Sequence, residues 1–370
     1  MRYFILRGMD NMEDNSKVLD KEYDELDKEA TERFKSALEK YTVEATSENV
    51  KEILKEINFL GKKITYKDMP CLCFNRLAPQ VYDAPRIDFF IQTGKKCNAK
   101  CKFCVFHGDK DLKFNYKKLD VVLQELETLL HDGKISLGKV DITGGETTYN
   151  IKKLEKILYT INQHIKPYET DIVMHTNGYQ LKKLSPQFFK KVLTTICISR
   201  HHYDDEKNKE IFGTDDFIKY DDLKGLIEKY QGPLKFQMRC NMITGYIDSK
   251  EEIKKYLEHI KDLNINCSWD RHGGGHCGFV GLMPMNKYCR DHLINYKDIV
   301  SENDPEIIMK KTYNKKDLSG EEMCRCGNFV YDKISFFTKL LDNPKCDYGP
   351  IMLVYDGKNL RLGFDGEIIF

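Results

Sequence analysis

From residue 87 onward, short apolar runs alternate with amphipathic stretches of helical periodicity, and this alternation constrains the fold more than any other feature. The candidate strands are 87–92, 139–143, 171–175, 195–199, 235–241 and 279–283. Strands that alternate with helices are typical of βα units, in which the strands of the sheet are parallel. About six units fit between residues 87 and 285, too few for a closed eight-stranded barrel. We therefore expect an α/β fold, a partial (βα)6 TIM-type barrel.

Two of the stretches between these strands have one-sided apolar stripes, which predict amphipathic helices packed on the sheet. The residues of the first stripe are Leu119, Val122, Leu123, Leu126, Leu129 and Leu130. Those of the second are Ile253, Tyr256, Leu257, Ile260 and Leu263. Ser249 and Glu252 precede the second stripe with the spacing of a capping box.

The regions on either side of the barrel pattern carry less information. Two charged stretches near 18–41 and 47–60 predict helices, and the proline-containing stretch 65–86 predicts a linker. The predicted organisation is a helical N-terminal cap with its linker at 1–84, the barrel at 85–290, and a small cysteine-containing C-terminal extension at 291–370.

Composition limits the compartment and the partners. The chain has 13 cysteines, an odd number, and begins without a charged-then-apolar secretory segment, so a reducing cytoplasmic location is expected. No apolar run reaches the length of about 18 residues that spans a bilayer, so we expect no membrane segment. With 59 Lys and Arg against 58 Asp and Glu, there is no overall field that would attract nucleic acid.

Polar and glycine-rich segments follow the predicted strands, and chemistry in such folds collects at the carboxyl ends of strands. The segments are Cys97-x3-Cys101-x2-Cys104 after the first strand, 143–147 after the second, 175–178 after the third, 199–202 after the fourth and 239–241 after the fifth. Eight lysines and two aspartates surround the cysteines between residues 95 and 118. These lysines indicate either a solvated loop or an anionic substrate nearby.

The three cysteines pose the question of which metal they bind. Structural zinc requires four ligands, so a zinc site would need one more ligand from elsewhere in the chain. An iron–sulfur cube held by three thiolates has instead one iron open to a small molecule, which Phe103 could cover. Gly144 and Gly145 allow close backbone approach to a ligand.

These residues together resemble the radical S-adenosylmethionine (SAM) enzymes, over roughly residues 85–290. The residues that carry the resemblance are Cys97, Cys101, Cys104, Phe103, Gly144, Gly145, Glu146, Thr176, Asn177, Gly178, Ser199 and 281–285. The last segment and Thr176-Asn177-Gly178 are similar to the branch that contains the molybdenum-cofactor GTP cyclase and the peptide-modifying maturases of the SPASM and twitch type.

The resemblance implies that the three cysteines hold a [4Fe–4S] cluster whose fourth iron is chelated by SAM. An electron, supplied by a donor such as flavodoxin or ferredoxin, then splits SAM to a 5′-deoxyadenosyl radical that abstracts hydrogen from a substrate. The resemblance further implies that Gly144, Gly145 and Glu146 hold the ammonium group of SAM. Thr176, Ser199 and Arg239 are candidates for its carboxylate and Asn241 for its ribose, with Asn177 and Phe103 also at the cofactor.

Relatives that modify peptides often carry an auxiliary cluster in a C-terminal extension. The candidate ligands here are Cys289, Cys324, Cys326 and Cys346, with Cys277 a further possibility. Asp356-Gly357 predicts the turn of the hairpin found in such extensions. The position of its closing cysteine is occupied by 362–364, Leu-Gly-Phe, so the extension either binds an auxiliary cluster or is a hairpin that seals the barrel.

Two substrate classes follow from these features. A ribosomally made peptide is the leading hypothesis, because the barrel is joined to a cysteine-bearing extension. A nucleotide or another small anionic metabolite is the alternative, favoured by the lysines around the three cysteines and by the absence of the closing cysteine in the extension. The glycine-rich loop 269–278 is either a substrate contact or a flexible connection. A third hypothesis is a non-catalytic iron–sulfur sensor, although a sensor needs no SAM pocket.

Overall fold

The structure, a computed structural model, describes residues 42–44, 56–65, 80–82, 85–104, 106, 113–167, 169–232, 234–265, 276–282, 284–294, 299, 306–312, 327–339, 351–364 and 366–370. The predicted helix near 18–41, most of the glycine-rich loop 269–278, and Cys324, Cys326 and Cys346 lie outside these residues.

The N-terminal region contains a β-hairpin where the end of a helix was predicted. Strands β2 (Glu56–Phe59) and β3 (Lys62–Thr65) pair antiparallel, so the prediction of a helix that reaches residue 60 is wrong. The two turn residues, Leu60 and Gly61, have φ of +49° and +77°. A two-residue turn of type I′ requires positive φ at both positions, and this local geometry fixes the hairpin.

Burial explains why the hairpin forms instead of a helix. Ile57, Phe59 and Ile64 alternate with polar residues and are buried in the main core. This period of two places all three apolar side chains on one face of the hairpin, which a helix would not do. Within the predicted linker, β4 (Gln80–Tyr82) pairs antiparallel with β1 (Thr42–Glu44).

One sheet of eleven strands forms the centre of the fold. Its middle six strands are β5 (Arg86–Gln92), β6 (Ser136–Thr143), β7 (Asp171–Thr176), β8 (Thr195–Ser199), β9 (Lys235–Met242) and β10 (Cys277–Gly281). Each pairs in parallel with the next along the chain. The prediction of a six-stranded parallel barrel core is confirmed, and every predicted strand overlaps an observed one.

The structure describes seven α-helices. They are α1 (Tyr116–His131), α2 (Ile151–His164), α3 (Pro186–Lys191), α4 (Asp205–Phe212), α5 (Tyr220–Tyr230), α6 (Lys250–Lys261) and α7 (Lys287–Asp291). Both predicted apolar stripes are confirmed, because their residues on α1 and α6 are buried against the sheet, with Leu130 partly so. Ser249 caps α6 by accepting a hydrogen bond from the Glu252 N–H at 3.2 Å.

The sheet has two chemically different faces. On β6, Val140 and Ile142 lie in the core that the helices cover, whereas Lys139 and Asp141 alternate with them and point to the opposite face. The neighbouring strands repeat this alternation. We call the face opposite the helices the barrel interior.

The C-terminal region contributes strands to the same sheet. These strands are β11 (Ile308–Thr312), β12 (Gly327–Tyr331), β13 (Ile334–Lys339), β14 (Ile351–Tyr355) and β15 (Leu360–Leu362). Strand β13 pairs in parallel with β10, and β14 pairs in parallel with β5. In the described part of the chain the sheet ends at β11 and β15, so the barrel is open, as predicted.

The predicted turn at Asp356-Gly357 connects β14 and β15. Gly357 has φ of +91°, and the Asp356 carboxylate accepts hydrogen bonds from the N–H groups of the next residues in the turn. Phe364, in the segment where the family pattern would place a cysteine, packs its ring 5.1 Å from that of Phe90 and 5.7 Å from that of Phe106. This hairpin therefore covers the barrel next to β5.

Candidate active site at the carboxyl edge of the sheet

The loops that follow β5 and β6 run side by side. The N–H of Gly145 donates to the carbonyl of Gly94 at 2.7 Å, and the N–H of Glu146 donates to the carbonyl of Lys96 at 2.9 Å. Lys96 directly precedes Cys97. The segment 144–146 therefore holds the beginning of the cysteine loop in place.

Gly144 and Gly145 are required by this close packing of two backbones. Gly144 has φ of +128°, and a Cβ there would lie 2.6 Å from the carbonyl oxygen of Gly94. A Cβ on Gly145 would overlap the carbonyl of Lys96. The sequence hypothesis assigned these glycines to close approach of a ligand, whereas the contact in the structure is with the cysteine loop itself.

The three predicted cluster cysteines lie together in one apolar environment. Cys101 is buried, Cys97 and Cys104 are half-buried, and all three pack beside Phe212 and Phe217. This environment shields the thiols partly from water, and that of Cys101 most. It is a suitable surrounding for an iron–sulfur cluster, whose potential depends on burial.

The electrostatics of the loop favour neutral thiols unless a cation is present. Burial raises the pKa of all three, that of Cys97 to about 11, and neighbouring thiolates raise those of Cys97 and Cys101 further. The N–H groups of Ala99 and Phe106 oppose this effect by donating to the sulfurs of Cys97 and Cys104, at 3.3 and 3.4 Å. A bound metal group would supply the positive charge that keeps the sulfurs deprotonated.

The donor set fits a cluster better than a single ion. Within the described ranges, no three His, Cys, Asp or Glu side chains converge closely enough to hold one metal ion. In an iron–sulfur cube each thiolate binds a different iron, so its ligands surround a group larger than one ion. Three thiols on one partly buried loop agree with the [4Fe–4S] cluster that the resemblance implies, and no fourth ligand for tetrahedral zinc converges with them among the described residues.

Glu146 is a buried internal acceptor. Its Oε1 accepts from the N–H and hydroxyl of Thr148, at 2.9 and 2.5 Å, and from the hydroxyl of Thr176, while its Oε2 accepts from the Asn177 N–H at 2.7 Å. Burial raises the pKa of Glu146, and these donors act in the opposite direction. The Glu146 side chain therefore connects the loop after β6 with the end of β7 and the loop that follows it. The part of segment 144–146 that lies nearest the cysteine loop is its backbone.

Asn177 extends the network to the cysteine loop. Its side-chain amide donates to the Oδ1 of Asn98 at 3.1 Å, and its own Oδ1 accepts from the Tyr179 N–H at 3.0 Å. Asn98 lies between Cys97 and Ala99. The loops after β5, β6 and β7 are thus bonded to one another, and the structure brings the predicted residues Thr176 and Asn177 together with the cysteines.

The predicted carboxylate-binding residues lie on the barrel interior. Ser199 and Arg239 are register partners on β8 and β9. Arg239 Nη1 is buried and has no hydrogen-bond partner among the described residues, while its guanidinium lies 4.6 Å from the centre of the Phe337 ring. A Cβ on Gly278 would overlap both Arg239 and Phe337. An unpaired buried donor of this kind suits a carboxylate ligand.

Phe103 and Asn241 both contact His201. The Phe103 ring packs edge-on against His201 at 5.1 Å. The Asn241 N–H donates to Nδ1 of His201 at 3.1 Å, and burial lowers the pKa of this histidine to about 3. His201 is therefore a neutral packing residue and not a substrate contact.

A residue that the sequence analysis did not select fixes the loop after β8. Asn208 is fully buried on α4, and its Oδ1 accepts from the N–H groups of His201 and His202, at 2.8 and 3.0 Å. Its amide donates to the carbonyls of His202 and Asp204. An asparagine inside a helical pattern gave no local signal of this role, because its partners precede the helix.

The sequence analysis also missed Lys139 and Asp141 and included His175 only as part of the polar segment 175–178. His175 Nε2 lies 3.1 Å from Asp141 Oδ1, and the Lys139 ammonium pairs with the same carboxylate. A usable signal was present: Lys139 and Asp141 alternate with apolar residues in a buried strand, which places charge on the barrel interior.

Of the candidate auxiliary ligands, the structure describes Cys289 and Cys277. Cys289 is 1% exposed and packs with Ile211, Ile243 and Leu282, next to Phe103 of the cysteine loop. Cys277 is fully buried in the main core on β10. Both are packed as small apolar residues, and their proposed partners lie outside the described residues.

Comparison with known proteins agrees with this geometry. The family model described as "Radical SAM superfamily" matches residues 91–276, just over half of the chain. The chain belongs to the radical SAM superfamily. Enzymes of this family use a [4Fe–4S] cluster and SAM, the two cofactors that the resemblance implies.

The chain is similar to radical SAM proteins named as GTP cyclases. A probable GTP 3′,8-cyclase of Thermococcus kodakarensis is 32% identical over 160 residues, which cover 42% of this chain and 48% of that protein. The GTP 3′,8-cyclase of Helicobacter pylori is 27% identical over 186 residues, which cover 48% of this chain and 54% of that protein. The chain spans about half the length of the relatives it matches.

The solved structures that are similar to this chain include two with a bound peptide. Streptococcus suis SuiB bound to precursor peptide SuiA covers 65% of this chain and 45% of its own, with 18% identity and a TM-score of 0.41. The anSMEcpe enzyme with bound AdoMet and Cp18Cys peptide covers 55% of each chain, with 16% identity and a TM-score of 0.38. Similarity at this level leaves the substrate open.

Among the described helices, none combines the length and apolar character needed to cross a bilayer.

Proposed function

We propose that this protein is a radical SAM enzyme that generates a 5′-deoxyadenosyl radical and abstracts hydrogen from a substrate in the barrel interior. The observation that carries the proposal is the bonding of three strand-end loops around one buried set of thiols. Gly145 and Glu146 bind the cysteine loop through their backbones, and Asn177 binds it through its side chain.

Different residues would hold the cluster and SAM. Cys97, Cys101 and Cys104 would hold the cluster, with the backbone of 144–146 beside them for the ammonium group of SAM. The unpaired Arg239 Nη1, with Ser199 opposite, would bind the SAM carboxylate. When bound, cluster and SAM supply the electron transfer and C–S cleavage that produce the radical. The protein orients these groups and excludes water, and a flavodoxin or ferredoxin would donate the electron.

A nucleotide is the substrate class with the most support. The similar proteins bear the name GTP 3′,8-cyclase. Beyond the residues assigned to SAM, the barrel interior presents polar side chains that can bond to a nucleotide, among them Lys139 and His175, which each leave 31% of the side chain exposed. The peptide hypothesis depends on an auxiliary cluster whose candidate ligands Cys324, Cys326 and Cys346 lie outside the described residues, and it stays a prediction.

Iron and product analysis test the proposal. Anaerobically purified protein should contain at least four irons per chain and release 5′-deoxyadenosine when given dithionite and SAM. The variant in which Cys97, Cys101 and Cys104 are all replaced by Ala should release none. Any iron that this variant retains measures an auxiliary cluster. Cluster-loaded wild-type protein that never cleaves SAM, with or without added substrate, would contradict the enzyme assignment.

The nucleotide class has a separate test. With GTP deuterated on its ribose, deuterium should appear in 5′-deoxyadenosine if this nucleotide is the hydrogen donor. Cleavage of SAM without deuterium transfer from GTP would reject this substrate while the radical SAM assignment stands.

A further inference from the structure

On β6 and β7, the barrel interior contains a charged group that the proposed cofactor site does not use. The Asp141 carboxylate is buried, with 2% of its side chain exposed, whereas Lys139 and His175 are each 31% exposed. His175 Nε2 lies 3.1 Å from Oδ1 and 3.3 Å from Oδ2 of Asp141, and the Lys139 ammonium pairs with Oδ2. The Asp141 carboxylate is therefore covered by Lys139 and His175, whose side chains reach the open interior.

The position of this group in the sheet is fixed by strand alternation. On β7, Ile172 and Met174 are buried in the core beneath the helices, so His175 points to the barrel interior. Cys197, the register partner of His175, is fully buried on the same face of β8. The side chains of Asp141 and Cys197 therefore restrict movement of the buried part of the His175 ring. The exposed part of the ring faces the barrel interior.

The charge of Asp141 determines which nitrogen of His175 carries hydrogen. Burial alone would raise the pKa of Asp141, but His175 and Lys139 together hold it well below its usual range. An ionised carboxylate accepts hydrogen bonds and donates none. The Nε2 atom of His175 must therefore carry hydrogen, and in the neutral ring Nδ1 is then an acceptor.

We propose that Asp141 orients His175 so that its Nδ1 accepts a hydrogen bond from an O–H or N–H group of the substrate in the barrel interior. This inference rests on the proposed function and narrows the part of the substrate that lies here. A nucleotide offers such donors on its ribose and base, whereas its phosphate oxygens are acceptors. The Lys139 charge is balanced by Asp141, so the group carries no excess charge for phosphate while the histidine is neutral.

The arrangement can also accept a proton. The substrate O–H or N–H bond would break, its electron pair would stay on the substrate atom, and the proton would bind Nδ1. The imidazolium would then be stabilised by the buried Asp141 carboxylate at 3.1 Å. In this scheme His175 contacts substrate, and Asp141 is a positioning residue that acts through it.

Nitrogen NMR of the anaerobically purified, oxidised protein labelled with 15N-histidine tests the orientation directly. The signals of His175 are those that disappear in the His175→Gln variant. At a pH where the ring is neutral, we expect hydrogen on Nε2 and a bare Nδ1. In Asp141→Asn, the amide can donate to Nε2, so the fraction of neutral rings with hydrogen on Nδ1 should rise. A neutral wild-type ring with hydrogen on Nδ1, or one whose tautomer is the same in Asp141→Asn, would overturn the proposal.

Kinetics with GTP as the probe test the contact with substrate. His175→Leu should reduce kcat/KM for GTP-dependent formation of 5′-deoxyadenosine by about tenfold, the loss of one hydrogen bond. His164→Gln is the matched control, because His164 likewise bonds to carboxylates, those of Asp120 and Glu127, but does so on the helical layer. Its kcat/KM should stay within about twofold of wild type.

The possible failures are distinguishable. If the wild type cleaves SAM but His175→Leu matches His164→Gln, the substrate contact is wrong and the proposed function stands. If the wild type never cleaves SAM, the proposed function fails, and the 15N shifts still decide whether Asp141 sets the ring. If SAM is cleaved without any stimulation by GTP, the nucleotide choice and the contact inferred from it are both rejected.

Discussion

At the scale of single residues, Glu146 illustrates how a motif residue can act inside the protein. Its two carboxylate oxygens accept from two backbone N–H groups, those of Thr148 and Asn177, on opposite oxygens. An amide at this position would place an NH2 group against one of these donors, whichever way it turned. One buried N–H would then lose its acceptor.

Glu146→Gln should therefore lower the free energy of unfolding by about 2 to 3 kcal/mol and weaken SAM binding. Glu155→Gln is the control. Among the described residues, the donors to Glu155 are the N–H and hydroxyl of Ser185, and both bond to one oxygen, so the amide can keep that carbonyl in place. This variant should lose less than about 1 kcal/mol. Guanidinium unfolding and SAM equilibrium dialysis measure both effects, and equal losses in the two variants would argue against the special role of Glu146.

At the scale of elements, the contact between two loops replaces the ligand contact that the glycines suggested. Gly145→Ala should push the cysteine loop away from 144–146, because the new Cβ would overlap the carbonyl of Lys96. We expect the iron content after anaerobic reconstitution to fall by more than half.

Gly225→Ala is the matched glycine control for this effect. Gly225 is inside α5 with no atom within 4 Å of an added Cβ, so alanine should raise stability by about 0.5 to 1 kcal/mol and leave iron unchanged. Iron assays measure the cluster content of both variants, and thermal unfolding measures their stability. Full iron incorporation in Gly145→Ala would show that the two loops can separate without loss of the cluster site.

What the sequence could predict at this scale follows from periodicity. The parallel strands and the stripes of α1 and α6 were predictable, because period-2 and period-3.6 patterns persist over whole elements. The hairpin of β2 and β3 was not predictable. Its four-residue strands lie next to charged residues and resemble a helical pattern, and the sequence does not show that Leu60 and Gly61 have positive φ.

The candidate site was predictable as a set of strand-end motifs but not as a network. Cysteine spacing located the cluster loop, whereas the bonds from Glu146 to Thr176 and from Asn177 to Asn98 join residues 30 and 79 positions apart. Such pairs have no local signature in one sequence. The role of Asp141 was hidden for the same reason, since His175 is 34 positions away.

At the scale of the whole molecule, the C-terminal region is joined to the barrel by backbone pairing on both sides. Strand β14 pairs with β5, and β13 pairs with β10, so the parallel part of the sheet draws on residues from 86 to 355. The predicted boundary at 290 separates segments that share this sheet. Since β5 leads directly into the cysteine loop, loss of β14 would expose the strand that supports the cluster.

This arrangement predicts one cooperative unfolding unit. Leu353 on β14 is fully buried in the main core, and Leu353→Ala should lower the free energy of unfolding by about 3 kcal/mol. Met352, its neighbour on the same strand, is 38% exposed, so Met352→Ala should cost less than about 1 kcal/mol.

Circular dichroism and the absorbance of the cluster, followed together during guanidinium unfolding, provide the measurement. If the sheet unfolds as one unit, Leu353→Ala shifts both signals to lower denaturant by the same amount, because the cysteine loop depends on β5 and β5 on β14. If the C-terminal region is an independent domain, the variant should produce a separate early transition in circular dichroism while the cluster absorbance keeps its wild-type midpoint. The second result would restore the boundary at 290 and show that β14 contributes little to the cluster site.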